Sequence, residues 1–226
     1  MQVPNRDVIE RKLARLLGRQ FRDQIDELMD LLGDPPNPTN IPVNWWDKIS
    51  KNMRIVMFPV MVDIFIQQVS AFVEKINIGV DWALANEWAI NWGNKYTFEL
   101  VAGITDRTRE VISKSMEAFW WDGLSVSDFA NMLEPTFGPA RAATIAVTET
   151  TRAAVQGELA VVNYIEIMLP NVEMIAIWQT VNDEAVCDIC GPRNQTTAEE
   201  GGWEGDEPPA HPNCRCWLNY EMTVKE

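Results

Sequence analysis

The chain has one histidine, His211, and four cysteines among its 226 residues. A single histidine excludes the metalloproteases of the His-Glu-x-x-His type, which bind zinc through two histidines. The zinc deaminase signature is absent too, because its histidine precedes a Cys-x-x-Cys pair, whereas His211 follows the pair present here. Neither a Gly-x-x-x-x-Gly-Lys nor a Gly-x-Gly-x-x-Gly segment occurs, so no phosphate-binding loop is recognisable. The sequence therefore supplies no catalytic and no cofactor-binding residues of these classes.

Positive charge and long apolar runs are also scarce. Lys and Arg number 19 against 33 Asp and Glu, and the net charge of -14 opposes attraction to phosphate backbones and anionic lipids. The longest apolar run, Ile55–Val62, is far shorter than the roughly 20 residues of a membrane-spanning helix. We therefore expect no membrane partner and no sequence-specific nucleic acid. Residues 1–5 show no charged-then-apolar leader, so we expect a reducing compartment, where cysteines are metal ligands or free thiols.

Most of the chain has a helical pattern. Apolar side chains recur at steps of three and four over residues 5–32, 45–77, 80–100, 105–122 and 139–167. Pro59 predicts a kink or break in the second of these helices. Ser125 and Asp128 resemble a capping box for a short segment, and Pro139 suits the first position of the alanine-rich last helix.

The periodicity changes near the C-terminal end. Residues 174–181 alternate with period two and predict a strand, and residues 216–222 predict a closing strand. Residues 191–209 are rich in Gly, Pro, Glu and Thr, which predicts a loop. The expected fold class is α+β, with a mainly helical body over residues 1–135 and a small β-containing module stapled by cysteine and histidine over residues 136–226.

The residues that carry chemistry are the cysteines and the histidine. Cys187 and Cys190 are separated by two residues, a spacing that turns both thiolates toward one centre. Cys214 and Cys216 would face the same side of a strand, and His211 shortly precedes them. The four cysteines are the first choice as ligands of a structural zinc ion, and His211 in place of one of them is the second. A packed cluster of thiols or an oxidised pair is the alternative without metal.

A second group of residues lies in the alanine-rich helix, in the segment Thr148–Arg152. Glu149 and Arg152 share a helix face, which by itself makes a surface ion pair worth up to ~1 kcal/mol. Three threonines in four positions are unfavourable in a helix interior, because β-branched side chains lose rotamer freedom there. We therefore expect that these residue types are present because this helix face contacts another part of the protein. Glu149 is expected to reach Arg215, near the cysteines.

Three segments together resemble the phage Mu protein F-like family of minor head, or head morphogenesis, proteins. They are Arg141–Ala154, Trp178–Cys190 and Pro208–Trp217, and the last, PPAHPNCRCW, is the most specific. The resemblance implies a protein of the virion interior, assembled in the host cytoplasm, bound at or near the portal inside the procapsid, with no established catalytic activity. The portal protein is the implied partner, with capsid or scaffolding protein as further ones. The apolar helices of residues 45–100 and their tryptophans would supply such contacts.

Two other functions compete with this one. A zinc-dependent hydrolase or nuclease would use His211 with Asp183, Glu184 or Asp206. The single histidine and the number of thiolates available to the metal disfavour it. A cytoplasmic zinc-ribbon adaptor unrelated to phage is the other alternative, and neighbouring portal and terminase genes would argue against it.

Overall fold

The computed structural model describes residues 2–181 and 186–225. Within them the fold is α+β, as predicted, with a short 3-10 turn at Pro38–Asn40 between the first two helices. The elements follow the chain as α1 (Arg6–Leu32), α2 (Trp45–Ile76), α3 (Trp82–Asp122), α4 (Val126–Phe137), α5 (Pro139–Met168), β1 (Val172–Gln179), α6 (Ala198–Gly201) and β2 (Trp217–Val224).

The predicted helix ends are confirmed where local chemistry sets them. Gly33 follows α1 with a φ of 74°, a left-handed conformation that glycine adopts without steric cost. The Ser125 side chain accepts from the Asp128 N–H, while the Asp128 carboxylate accepts from the Ser125 N–H, which completes the capping box of α4. Pro139 is the first residue of α5, where its missing N–H costs nothing.

Three details of the predicted elements are wrong. Of the kink or break predicted at Pro59, the break does not occur, because α2 continues from Trp45 to Ile76. The helices expected at 80–100 and 105–122 are one helix, α3, because Val101 and Ile104 are buried and carry it across Gly103. The loop expected at residues 191–209 contains the four-residue helix α6, capped by Thr197 and Glu200.

The two strands form an antiparallel pair. Their register joins Val172 to Val224 at one end and Gln179 to Trp217 at the other, so both predicted strands exist with shifted limits. Trp178 pairs with Leu218 and both side chains are fully buried, which gives the sheet one apolar face. Asn182 and Asp183, residue types that favour a turn after the strand, lie outside the described residues.

The chain divides into two compact units. The all-helical unit comprises Arg11–Val60 and Gly93–Thr144, and the module-bearing unit comprises Met1–Glu10, Met61–Trp92 and Ile145–Glu226. The predicted division between residues 135 and 136 coincides with none of these limits and stays a prediction.

Each unit has its own buried side chains. In the all-helical unit they recur along α1 and are joined by residues of α2 and α4, among them Leu13, Leu17, Phe21, Met53 and Phe129. In the module-bearing unit α5 approaches α2 so closely that a Cβ added at Gly157 would lie 2.6 Å from the Phe65 carbonyl oxygen. Glycine at position 157 is therefore required by the close backbone contact.

Helix α2 is long and apolar enough to cross a membrane by length and composition, and it is the one such helix among the described residues. The buried helices of protein cores satisfy the same criterion. Met57, Met61 and Phe65 of α2 are at most 2% exposed, as in a core helix.

Candidate metal centre

Two short turns carry the cysteine and histidine side chains. The first ligand turn, Cys187–Cys190, is closed by a hydrogen bond of 3.1 Å from the Cys190 N–H to the Cys187 carbonyl. The Cys190 N–H also points at the Cys187 sulfur, 3.4 Å away. The second ligand turn, His211–Cys214, is closed in the same way, by a 3.1 Å hydrogen bond from the Cys214 N–H to the His211 carbonyl. The two turns therefore share the same closing hydrogen bond between their first and fourth residues.

The side chains of these turns converge. His211 Nε2 lies 3.0 Å from Cys187 Sγ and 3.2 Å from Cys190 Sγ. Cys190 Sγ lies 3.8 Å from Cys214 Sγ. The ligand atoms form two overlapping trios, Cys187 with Cys190 and His211, and Cys190 with Cys214 and Cys216, each within 4.8 Å. All five predicted residues are thus brought together, and each trio can hold a metal ion.

The histidine ring is oriented by the backbone. Its Nδ1 lies 2.8 Å from the Pro212 carbonyl oxygen, an acceptor, so Nδ1 carries the proton and donates it. Nε2 faces the two sulfurs. Metal-binding histidines are commonly held in this way, with the distal ring nitrogen hydrogen-bonded to a carbonyl.

The thiols have strongly unequal acidities. A hydrogen bond donated by the Cys216 thiol lowers the pKa of Cys214 to about 5. The same interaction raises the pKa of Cys216 far above its ordinary value, and burial raises the pKa of Cys190 to about 12. Among the three buried cysteines, Cys214 is therefore the most acidic. A soft cation would stabilise further thiolates, since metal binding displaces thiol protons.

Two threonines of α5 attach the second ligand turn to the helix. The Thr151 hydroxyl donates to the Cys214 carbonyl at 2.7 Å, and the Asn213 N–H donates to the Thr148 hydroxyl at 2.9 Å. Both threonines lie in the Thr148–Arg152 segment, which was expected to contact another part of the protein. The two hydrogen bonds are such contacts, and they hold the backbone that carries Cys214.

Arg215 has acidic partners other than the predicted Glu149. It pairs with Glu10 and, at 3.8 Å, with Asp7, both in the first turns of α1. Glu149 instead pairs with Arg152 at 3.4 Å, along its own helix. The prediction fails because the start of α1 lies beside this loop, and no local pattern reveals so distant a partner.

Arg6 completes this contact and was missed in the sequence. Its guanidinium pairs with Glu10 at 2.6 Å and donates to the Arg215 carbonyl at 3.1 Å and to the Thr151 hydroxyl. Glu10 is 5% exposed although it is charged. Through Glu10 and Arg6, the beginning of the chain is thus joined to Arg215, which follows the second ligand turn.

The segment between the two ligand turns packs on the sheet. The Trp178 N–H donates to the Thr196 carbonyl at 3.0 Å, and the Gln195 N–H donates to the Trp178 carbonyl at 2.8 Å. The Trp203 ring packs edge-on against Trp178, with centroids 5.3 Å apart, and is 3% exposed. The segment therefore forms part of the core around the cysteines.

The hydrolase alternative finds little support in this geometry. Both ring nitrogens of His211 face sulfur or a backbone carbonyl, and neither is hydrogen-bonded to a carboxylate among the described residues. Asp206 forms a 2.6 Å ion pair with Arg193. The other two proposed carboxylates, Asp183 and Glu184, lie outside the described residues.

Comparison with known families identifies the region that contains this centre. Residues 109–219 match the family model described as Phage Mu protein F like protein. The chain carries a phage Mu protein F-like region. The resemblance is therefore confirmed, and it supports head morphogenesis as a minor capsid component of the virion, a structural class of function. No curated protein and no solved structure matches the chain.

The Mu F-like region also contributes an exposed apolar surface in the all-helical unit. Trp120 is 59% and Trp121 is 87% exposed, near the end of α3. They line an open groove of about 720 Å³, whose apolar side chains are Ile41, Val43, Trp46, Ile112, Met116, Trp120 and Trp121. Trp120 and Trp121, which are adjacent in the sequence, are thus a pair that faces solvent.

Proposed function

We propose that this protein is a minor head protein that assembles at the portal, inside the phage procapsid. The observation that carries the proposal is the match of residues 109–219 to the Mu F-like family. The match includes both ligand turns and the threonine segment that holds one of them. The match thus includes the residues that form the candidate metal centre and those that attach it to α5.

The tryptophan groove supplies a surface for such an assembly. Exposed aromatic side chains are costly in water and are enriched at the centres of protein interfaces. Val43 also lines the groove and is 94% exposed, so residues outside α3 contribute to the apolar surface. We take this groove to be the contact with the portal protein.

The charge of the chain fits retention by protein contacts. With a net charge of -14, the protein is repelled by DNA, which carries one negative charge per phosphate. A head component of this charge is held by a protein surface and stays free of the packaged genome. The groove is apolar in character and would bind at high salt, where electrostatic attraction is screened.

Co-expression with the portal protein of the same genome tests the proposal. The portal carries the tag, and the amount of co-purified chain is measured across salt concentrations. We expect stoichiometric recovery of the wild type, and recovery reduced roughly tenfold or more when Trp120 and Trp121 are both replaced by alanine. Trp82→Ala is the matched control, since Trp82 is 46% exposed but lies outside the groove.

The outcomes separate the partner from the surface. If recovery with the portal falls in the double variant but stays normal for Trp82→Ala, the result supports both the portal as partner and the groove as the contact surface. Equal recovery of all three proteins keeps the portal as partner and moves the contact away from the groove. A folded, soluble wild type that never accompanies the portal contradicts the portal assignment.

A further inference from the structure

We propose that Cys187, Cys190, His211 and Cys214 bind one zinc ion, and that Cys216 is not a ligand. The proposal selects the three-cysteine, one-histidine set over the four-cysteine set, and it does not depend on the role in head assembly. It rests on the geometry of the two ligand turns.

The first argument is the equivalence of the turns. Cys-x-x-Cys and His-x-x-Cys have the same spacing, and each is closed by a hydrogen bond of 3.1 Å from the fourth residue to the first. In the first turn, Cys187 Sγ and Cys190 Sγ lie in one trio with His211 Nε2. Two facing turns then provide four ligand atoms, the number that a structural zinc site requires. Cys216 follows the second turn and belongs to neither.

The second argument comes from the distances. With Zn–S of about 2.3 Å, tetrahedral geometry places two sulfurs about 3.8 Å apart. Cys190 Sγ and Cys214 Sγ are 3.8 Å apart. His211 Nε2, at 3.0 and 3.2 Å from two sulfurs, is closer than such a site requires. Cys214 Sγ is near Cys190 Sγ but is not part of the trio with Cys187 and His211. Binding of one ion by all four residues would therefore require the Cys214 side chain to rotate toward the first ligand turn.

The third argument concerns the orientation of the His211 ring. Nδ1 donates to the Pro212 carbonyl oxygen at 2.8 Å, and Nε2 faces Cys187 Sγ and Cys190 Sγ. A metal-binding histidine is commonly held in this way, with one ring nitrogen directed at the ion and the other hydrogen-bonded to a carbonyl.

The position of Cys216 in the chain is the ground for its exclusion. Its sulfur, like that of Cys214, groups with Cys190 and not with Cys187 or His211. Cys216 lies outside both ligand turns, however, and directly precedes β2, in the apolar cluster that contains Trp178 and Leu218. We therefore assign Cys216 a packing role beside the ion.

X-ray absorption of the zinc-loaded full-length chain tests the assignment without any substitution. We expect one zinc per chain, with three sulfur and one nitrogen neighbour. Four sulfur neighbours would overturn the proposal in favour of the four-cysteine set. Failure of the folded, reduced chain to retain zinc on dialysis would overturn it altogether.

A matched pair of variants supplies an independent readout. Cys214→Ser and Cys216→Ser alter buried thiols two residues apart, 1% and 6% exposed. We expect Cys214→Ser to weaken zinc affinity by roughly 100-fold or more, and Cys216→Ser to change it by less than about threefold. Competition with a chromophoric chelator measures both. The reverse pattern would contradict the proposal.

Discussion

The all-helical unit and the ligand turns are stabilised in different ways. In the all-helical unit, buried side chains recur along α1, as at Leu13, Leu17 and Phe21, so many similar apolar contacts share the stabilisation. The ligand turns depend on a few specific contacts, such as the hydrogen bond from Thr151 to the Cys214 carbonyl. Loss of one contact should therefore matter more in the module-bearing unit, and variants in each unit can test that difference.

The largest effect is expected where the module-bearing unit brings two backbones together. Gly157→Ala would place a methyl group 2.6 Å from the Phe65 carbonyl oxygen, and a backbone atom cannot move aside cheaply. We expect the free energy of unfolding to fall by about 2–3 kcal/mol, measured by urea denaturation. An unchanged denaturation midpoint would show that α5 and α2 do not approach so closely.

Thr151→Val removes the hydroxyl that holds the second ligand turn while nearly preserving the side chain's shape. We expect a loss of about 1–3 kcal/mol, because the Cys214 carbonyl loses its donor in a buried setting. Thr150→Val is the control, since the fully buried Thr150 hydroxyl has no hydrogen-bond partner among the described residues. Its replacement should be neutral or stabilising. Equal effects of the two variants would contradict the proposed attachment.

Glu158 gives the module-bearing unit a pH dependence. Burial raises the pKa of its carboxyl above the ordinary value of 4.5, and Gln68 donates a hydrogen bond to it at 2.6 Å. A raised folded-state pKa contributes stability below the unfolded pKa and loses it as pH rises through the folded pKa. The free energy of unfolding of Glu158→Gln, measured by urea denaturation, should therefore rise progressively above that of wild type as the pH rises from 4.5 toward neutrality. Parallel stability curves for the two proteins would contradict this.

The smallest effect is expected in the all-helical unit. Gly103 lies inside α3, and a Cβ added there meets nothing within 4 Å. Gly103→Ala should stabilise the protein by about 0.5–1 kcal/mol, because alanine loses less backbone freedom than glycine in a helix. Thermal unfolding of this variant beside Gly157→Ala compares an open helical glycine with a packed one. A loss of stability on Gly103→Ala would contradict the open environment.

Local patterns predicted the parts of the fold that local chemistry determines. The capping box at Ser125, the start of α5 at Pro139 and the strand around Trp178 all follow from neighbouring residues. The grouping of the cysteines and His211 could also be predicted, from the Cys-x-x-Cys spacing and the nearby Cys214 and Cys216, but the turn His211–Cys214 was not.

Other features could not be read from the sequence because they depend on residues far apart in the chain. Arg215 pairs with Glu10, 205 positions away, and Thr151 contacts a carbonyl 63 positions away. The three threonines of the Thr148–Arg152 segment indicated that this face of α5 makes specific contacts. They did not indicate which residues it contacts. The exposure of Trp121 likewise depends on packing, since adjacent tryptophans occur in cores and interfaces alike.

Quantitative mass spectrometry of purified procapsids and virions, before and after protease treatment, tests the role in head assembly most directly. The account predicts that the chain co-purifies with heads, resists protease while heads are intact, and is digested once they are opened. A chain that is expressed during infection but absent from both particles would contradict it.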